Sequence, residues 1–262
     1  MAAATGTESP AQALARLYDL DLAEDPGDVE LYRALARRTG DPVIELAVGT
    51  GRVATALVAD GHRVVGVDND GAMLERARAR GRAEGLTLVE ADLGEAPAIN
   101  AVAAASPYRL AIVALNSILL LASAERQRAA LRAMAGVLAP GGLAVVDAWQ
   151  PGPQDLVAFD GRLSLEWLRT DPETGRQVSK TVAAWFDPAT RLVTLTTIFD
   201  EGGPGEPPIR WTRSDALRLL TVDELAAYAE AAGLEVEQLA GDHDLGPLEP
   251  GSERVVLIAR KP

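Results

Sequence analysis

The stretch VIELAVGTGRVA, residues 43–54, is a β-branched apolar run that carries one acid, Glu45, and then bends through Gly49 and Gly51. Glycines at these positions allow a tight turn without a Cβ, and a helix starting just beyond offers its first N–H groups to a polar or anionic ligand. Gly49, Gly51 and Ala54 satisfy the dinucleotide spacing G-x-G-x-x-A. Asp68 ends the next apolar run, RVVGVD, where a carboxylate accepts hydrogen bonds from both ribose hydroxyls. Taken together, the two features point to a nucleoside-containing ligand; the plain alternative is a structural glycine turn.

Such a turn works only if a strand precedes it and a helix follows. From residue 43 to 149 the sequence supplies that alternation: VIELA then VATALVAD, RVVGVD then AMLERARARGRAE, LTLVEAD then a short Ala-rich helix, RLAIVAL then ERQRAALRAMAGVLAP, and finally LAVVDAW. Nearly continuous Val, Ile and Leu in strands separated by helices mark a parallel sheet covered on both faces, a doubly wound α/β core.

Between residues 162 and 213 the pattern changes to three or four alternating strands joined by Pro/Gly turns, an antiparallel meander. All four tryptophans (Trp149, Trp167, Trp185, Trp211) and all three phenylalanines (Phe159, Phe186, Phe199) fall between 149 and 211, which predicts an aromatic layer belonging to the insert. Beyond it the α/β pattern resumes. Thr221 and Glu224 form a capping box, VDELAAYAEAAG is a helix ended by Gly233, and LEVEQLA and ERVVLIAR are strands.

At 262 residues and 48% hydrophobic, the chain is expected to build one large core with an insertion. The absence of cysteine removes disulfides, thiolate zinc sites and cysteine nucleophiles, and fits a reducing cytoplasm. The N-terminal MAAATGTESPAQ lacks a signal pattern, and no apolar run approaches the roughly 18 residues of a membrane span. Net charge is −13, with lysine only at Lys180 and Lys261, which disfavours a nucleic-acid partner and favours a cationic or neutral small molecule.

The ordered motifs ELAVGTGR, VVGVDNDGAMLERAR, EADL and LAPGG before LAVVD resemble those of class I S-adenosylmethionine-dependent methyltransferases. The resemblance covers residues 41–149 and 216–262, through AGLEVEQL to SERVVLIARKP. It implies a Rossmann-like doubly wound seven-stranded sheet with the last strand antiparallel, and S-adenosyl-L-methionine as cofactor. One departure stands out: Ala47 replaces the first glycine of the family's acidic-x-Gly-x-Gly-x-Gly turn. By this resemblance Glu45, Ala47, Gly49 and Gly51 shape the loop around the methionine portion, and Arg52 pairs with its carboxylate. Asp68 and Asn69 hold the ribose, Asp92 and Leu93 meet the adenine, and Asn116 sits beside the transferring methyl. Residue by residue, the plain alternatives are a turn brace for Glu45, a solvated first-turn residue for Arg52, core packing for Met73 and Leu74, and a helix cap for Asp92.

Methyl transfer from a sulfonium needs an in-line nucleophile more than covalent help; a hydroxyl nucleophile also needs a base, and an amine must arrive unprotonated. His62, in a helix-to-strand turn, is read as structural. His243, in GDHDLGPLEPGS, lies in a loop that the family's topology brings near the catalytic face, where it is either a base or a solvated loop histidine; Asp242 and Asp244 flank it, giving it added basicity or, as a lesser alternative, a shared metal. Tyr18-Asp19 followed by DVELY resembles the helical cover of small-molecule N-methyltransferases, including those acting on amino sugars. Tyr18 then faces the sulfonium and substrate, or else packs a terminal helix onto the core.

The chain therefore divides into a tail and helical cover at 1–40, a methyltransferase core at 41–149 and 216–262, and an inserted β lid or homodimerisation element at 150–215. The expected activity is methyl transfer to an amine or hydroxyl of a metabolite or natural product. One alternative is a methyltransferase-like fold that binds the cofactor without transfer, as a cyclase, isomerase or sensor. The other, a nicotinamide-dependent reductase, lacks its acid catalyst, since none of Tyr18, Tyr32, Tyr108 or Tyr228 is followed four residues later by lysine. Asn116-Ser117-Ile118-Leu119 also departs from the Asn-Pro-Pro-aromatic pattern with which DNA amino-methyltransferases stack a flipped base.

Overall fold

Short apolar runs become strands buried on both faces. β1 (Val43–Leu46) is buried at every position, which is why its sequence shows no polar alternation. It pairs in parallel with β2 (Val64–Asp68) on one side and β4 (Tyr108–Val113) on the other. With β3 (Leu86–Glu90), β5 (Leu138–Trp149), β10 (Glu235–Ala240) and β11 (Arg254–Arg260), they form a seven-stranded sheet of order β10-β11-β5-β4-β1-β2-β3. The last strand, β11, runs antiparallel to both its neighbours. Strand order reverses between β1 and β4, so a crevice opens at the carboxyl ends of these two strands. The computed structural model describes residues 8–24, 26–80, 84–95, 99, 107–203, 205 and 207–262.

The pleat sends Val43 and Ile44 to opposite faces, each with its own apolar cluster. On one face α2 (Val29–Thr39), α3 (Arg52–Ala59) and Leu74 of α4 (Gly71–Arg80) pack against Val43, Leu110 and Ile112. On the other, α5 (Ala124–Val137) and α7 (Val222–Ala231) cover Ile44, Leu46, Val113 and Val146. Helix α2, within the stretch expected as helical cover, thus packs against the main sheet. The capping box at Thr221 and Glu224 is formed: the Thr221 hydroxyl accepts from the Glu224 N–H at 3.2 Å and the Glu224 carboxylate accepts from the Thr221 N–H at 3.0 Å. The tail at 1–7, the end of the expected AMLERARARGRAE helix at 81–83 and most of the Ala-rich helix after EADL lie outside the described residues. No helix among the described residues is long and apolar enough to cross a membrane.

Inserted after β5, a short helix α6 (Pro153–Ala158) leads into a four-stranded antiparallel meander, β6 (Asp160–Thr170), β7 (Gln177–Asp187), β8 (Leu192–Gly202) and β9 (Ile209–Arg218). Its inner face carries Val178, Val193 and Phe199, all buried, with Trp211 paired opposite Phe199. The outer face carries Leu163, Leu165, Leu168 and Trp185, all exposed.

The aromatic residues do not form the layer of their own that their clustering in sequence predicts. Trp149 and Phe159 stack at 5.6 Å and pack with Phe186 onto the main core, while Trp167, Phe199 and Trp211 pack on helix α1 (Pro10–Asp21), and Trp185 faces outward. Strand periodicity distributes the rings between faces, so proximity along the chain does not translate into one layer.

Helix α1 contacts both insert and core, and two acids two positions apart divide the work. Asp21 accepts from Trp167 Nε1 at 2.8 Å and from Lys180 Nζ at 2.6 Å, both on the insert. Asp19 accepts from Thr50 Oγ1 at 2.5 Å, in the glycine turn, and from Arg76 Nε at 2.7 Å and Arg80 Nη2 at 2.6 Å on α4. A buried Arg16 adds ion pairs to Asp171 and Glu201 of the insert.

Candidate active site

The turn after β1 adopts left-handed backbone at three positions: Ala47 (φ 59°), Gly49 (φ 54°) and Gly51 (φ 79°). Ala47 therefore sits in the conformation that glycine adopts at least cost, so the sequence departure leaves the shape of the turn intact at the expense of local strain. A side chain on Gly51 would press its Cβ to 3.1 Å of Ala77 Cβ on α4. Asp68, at the end of β2, braces the same turn. One oxygen accepts from the Gly49 N–H at 2.8 Å and the other from the Asp70 N–H at 2.9 Å, and burial raises its pKa.

Beside this turn lies a cleft of about 210 Å³ lined by Ala47, Gly49, Asp68, Asn69, Asp92 and Leu93, with Tyr18 of α1 over it. A smaller cavity of about 20 Å³ adjoins it, where Tyr18 and Ala47 line both spaces with Glu45, Arg52 and Leu115 at its inner end. Eight of the expected cofactor residues thus converge: Ala47, Gly49, Asp68, Asn69, Asp92 and Leu93 at the cleft, and Glu45 and Arg52 at the smaller cavity. Gly51 lines neither space and acts through backbone shape and close packing on Ala77.

Glu45 is buried, and its Oε2 has no hydrogen-bond partner. Burial pushes its carboxyl up to about 8, opposed in part by the nearby Arg52 guanidinium. Tyr18 is half-buried, and desolvation raises its phenol above the ordinary value, so the ring presents a neutral hydroxyl. Asp92 behaves oppositely. Arg126 Nη2 donates to both its oxygens, at 2.6 and 2.8 Å, and holds the carboxyl below its ordinary value, with further help from the Gly94 N–H and the Asn69 side chain. A Cβ at Gly94 would lie 2.4 Å from the Arg126 guanidinium, so a side chain there would displace the arginine.

Three sequence expectations need correction. Arg52 is not a solvated first-turn residue: it lines the smaller cavity, and Nη1 and Nη2 both donate to the fully buried Asp28, each at 2.7 Å, so a protein carboxylate takes the pairing expected for the ligand's. Asn116 does not face the cleft. Its Oδ1 accepts from the Trp149 N–H at 2.6 Å and ties β4 to β5, while its neighbours Leu115 and Ser117 take the lining positions. Leu115 (φ 42°) and Asn116 (φ 66°) are both left-handed, and this reversal turns the asparagine away.

His243 also lies outside the residues lining either space. Its Nε2 pairs at 3.0 Å with Asp147, which is fully buried at the end of β5 and also bonded to Arg254. The flanking acids are not its partners: Asp242 accepts from the Gly246 N–H, and the pairing acid comes from a different strand. The other histidine, His62, pairs through Nδ1 with Asp41 at 2.7 Å, the structural role its turn suggests.

Sequence reasoning missed Asp70, Ser117, Leu120, Arg126 and Arg213 at the cleft, and gave Met73 to the core alone, whereas it is both buried and cleft-lining. Among the described residues lining the cleft, Tyr18 is the aromatic present, and the insert contributes Arg213 rather than one of its tryptophans.

The strand order, the left-handed turn and the acid at the end of β2 define a class I methyltransferase fold, and residues 43–142 match the family model for a methyltransferase domain. Among solved structures the chain is similar to the CcbJ methyltransferase from Streptomyces caelestis, at 24% identity and a TM-score of 0.75 over 92% of this chain and 98% of that one. It is similar also to CalS10, an amino pentose methyltransferase from Micromonospora echinaspora determined with S-adenosylmethionine bound (21%, TM-score 0.69, 94% and 97%). A third is the sugar N-methyltransferase KedS8 from Streptoalloteichus (22%, TM-score 0.71, 94% and 93%). None of the curated proteins matches the sequence.

Proposed function

We propose that this protein is an S-adenosylmethionine-dependent methyltransferase acting on a small-molecule acceptor, with an amine as the acceptor group. The observation that carries the reading is the pair of adjoining spaces that share Tyr18, Ala47 and Ser117: the unpartnered carboxyl oxygen of Glu45 belongs to one, and the bare backbone at Gly49 with Asp68 and Asp92 to the other. That donor set fits the cofactor. Glu45 would receive the ammonium of the methionine portion, Asp68 and Asn69 the ribose, and Asp92 and Leu93 the adenine ring. When bound, the cofactor supplies an electrophilic methyl on a positively charged sulfur.

The chain's own contribution is positioning and exclusion of water. Tyr18 closes the cleft at the junction of its two spaces, and its ring favours a cation beside it. Asp19, bonded to Thr50 in the turn, fixes that tyrosine relative to the cofactor. Neither histidine lines the cleft among the described residues, and the carboxyls that do, Asp68, Asp70 and Asp92, accept from backbone N–H groups or Arg126, which favours an acceptor that needs no base. An amine delivered unprotonated meets that condition, in keeping with the amino pentose and sugar N-methyltransferases whose fold the chain shares. The exposed outer face of the insert, at Leu163, Leu165 and Leu168, supports pairing with a second copy.

Calorimetry with S-adenosylmethionine and its demethylated product tests the cofactor, and methyl transfer to matched amine and hydroxyl acceptors tests the chemistry. Binding of both ligands with transfer only to amines is the expected result. An absence of binding heat would count decisively against the cofactor assignment.

A further inference from the structure

On β9 the residues facing the core alternate as Trp211, Arg213, Asp215 and Leu217. Trp211 packs on α1 and Leu217 on the main core, so the two positions between them belong to an inward face that normally carries apolar side chains. They are charged instead, and Arg213 reaches the cleft beside Tyr18. Asp215 grips it from one side, with Nε of Arg213 lying 2.9 Å from Oδ1 and 2.7 Å from Oδ2. Among the described interactions none engages Nη1 or Nη2.

The other two guanidiniums of the site serve other partners: Arg52 gives both terminal nitrogens to Asp28, and Arg126 gives Nη2 to both oxygens of Asp92, the acid assigned above to the adenine. Arg213 is also absent from the smaller cavity, where Glu45 and Arg52 mark the methionine end. It reaches the larger cleft from the insert, on β9, beside Tyr18. In a chain of net charge −13, an anion is drawn in only where a local cation offsets the surrounding field.

We propose that Arg213, oriented by Asp215, is a specificity-determining residue that recognises an anionic oxygen group, a carboxylate or a phosphate, on the methyl acceptor. The inference rests on the methyltransferase reading above and narrows it to acceptors that carry an amine together with an anionic substituent. A planar guanidinium held from one edge presents its remaining N–H groups in the geometry that carboxylate and phosphate oxygens accept as a pair. Such a contact fixes the acceptor at a distance from its amine and so aims the nucleophile.

The test uses the full chain saturated with S-adenosylhomocysteine, titrated with sodium phosphate in one series and sodium acetate in the other at constant ionic strength. Arginine side-chain N–H resonances provide the readout. Saturable shifts are expected for at least one anion, and the series that saturates first identifies phosphate or carboxylate as the source. R213Q should weaken this binding about tenfold or more, and R213K, which keeps the charge but loses the fork, by a smaller factor. R210Q, altering a residue that faces away on the same strand and pairs with Asp200, should leave it unchanged. Affinity for S-adenosylhomocysteine should stay within about twofold in all three variants, since Arg213 is assigned to the acceptor.

The proposal is overturned by the absence of a saturable response in the unaltered protein, by an equal response in R213Q and R213K, or by an R213Q that loses cofactor affinity to the same extent. If S-adenosylhomocysteine itself fails to bind, it is the methyltransferase reading that falls, and the same titrations on the ligand-free chain still decide whether Arg213 receives an anion.

Discussion

Replacing Glu45 with glutamine should make the protein more stable at neutral pH while weakening its hold on the cofactor. Glu45 is buried with one carboxylate oxygen unpartnered, and its pKa is about 8 against an ordinary 4.5. The folded state thus holds a proton that the unfolded chain releases above pH 4.5. For a carboxyl raised in the folded state, stability is greatest below 4.5, falls as pH climbs from 4.5 to about 8, and levels off above. Each pH unit in that window costs about 1.4 kcal/mol, so by pH 7 the loss approaches about 3 kcal/mol. E45Q has nearly the same shape and no titration, so this pH dependence should vanish from it. Urea unfolding of both proteins at pH 5, 6, 7 and 8 measures the difference directly, because every other titrating group is common to the two. The variant should gain on the unaltered protein steadily from pH 5 to 8, while calorimetry shows weaker binding of S-adenosylmethionine. A stability difference that does not change with pH would refute the reasoning, because it would mean that Glu45 titrates normally.

Ala47→Gly relieves a left-handed alanine and should raise stability by roughly 0.5–1 kcal/mol in thermal unfolding, with cofactor binding retained. Arg52→Gln strands the fully buried Asp28 and should cost about 3–5 kcal/mol in urea unfolding, much of it recovered when Asp28→Asn is added. His243→Ala should leave the pH profile of methyl transfer unchanged, since its partner is Asp147 rather than the acceptor; a lost basic limb would restore it as the base. Leu165→Asp with Leu168→Asp should shift a dimer toward monomer in sedimentation, whereas unchanged sedimentation of a dimer would exclude the outer face of the insert as its interface.

The alternation of buried strands and helices was legible because each apolar run reports its own burial. The turn at Gly49 was legible because few residues other than glycine adopt its backbone cheaply. Asp68 followed from its place at a strand end, and the Thr221 cap from a spacing of three residues. What local pattern could not reveal was pairing across long stretches of chain: Asp28 claims Arg52 from a different helix, and Asp147 claims His243 from a different strand. Asn116 was misjudged for a related reason, since its side chain follows a left-handed reversal that its sequence does not announce. Arg213 did leave a signal. A charge between Trp211 and Leu217 breaks the inward alternation of its strand, which is a mark of function more often than of packing.

The pairing of Asp19 with the core and Asp21 with the insert has a practical corollary for anyone who would exchange the inserted meander between proteins of this architecture. Residues 160–218 cannot be grafted alone, because Trp167, Lys180 and the Arg16 partners would arrive without their counterparts. The transplantable unit is the discontinuous pair of the first helix and the meander, moved together with the α4 arginines that receive Asp19.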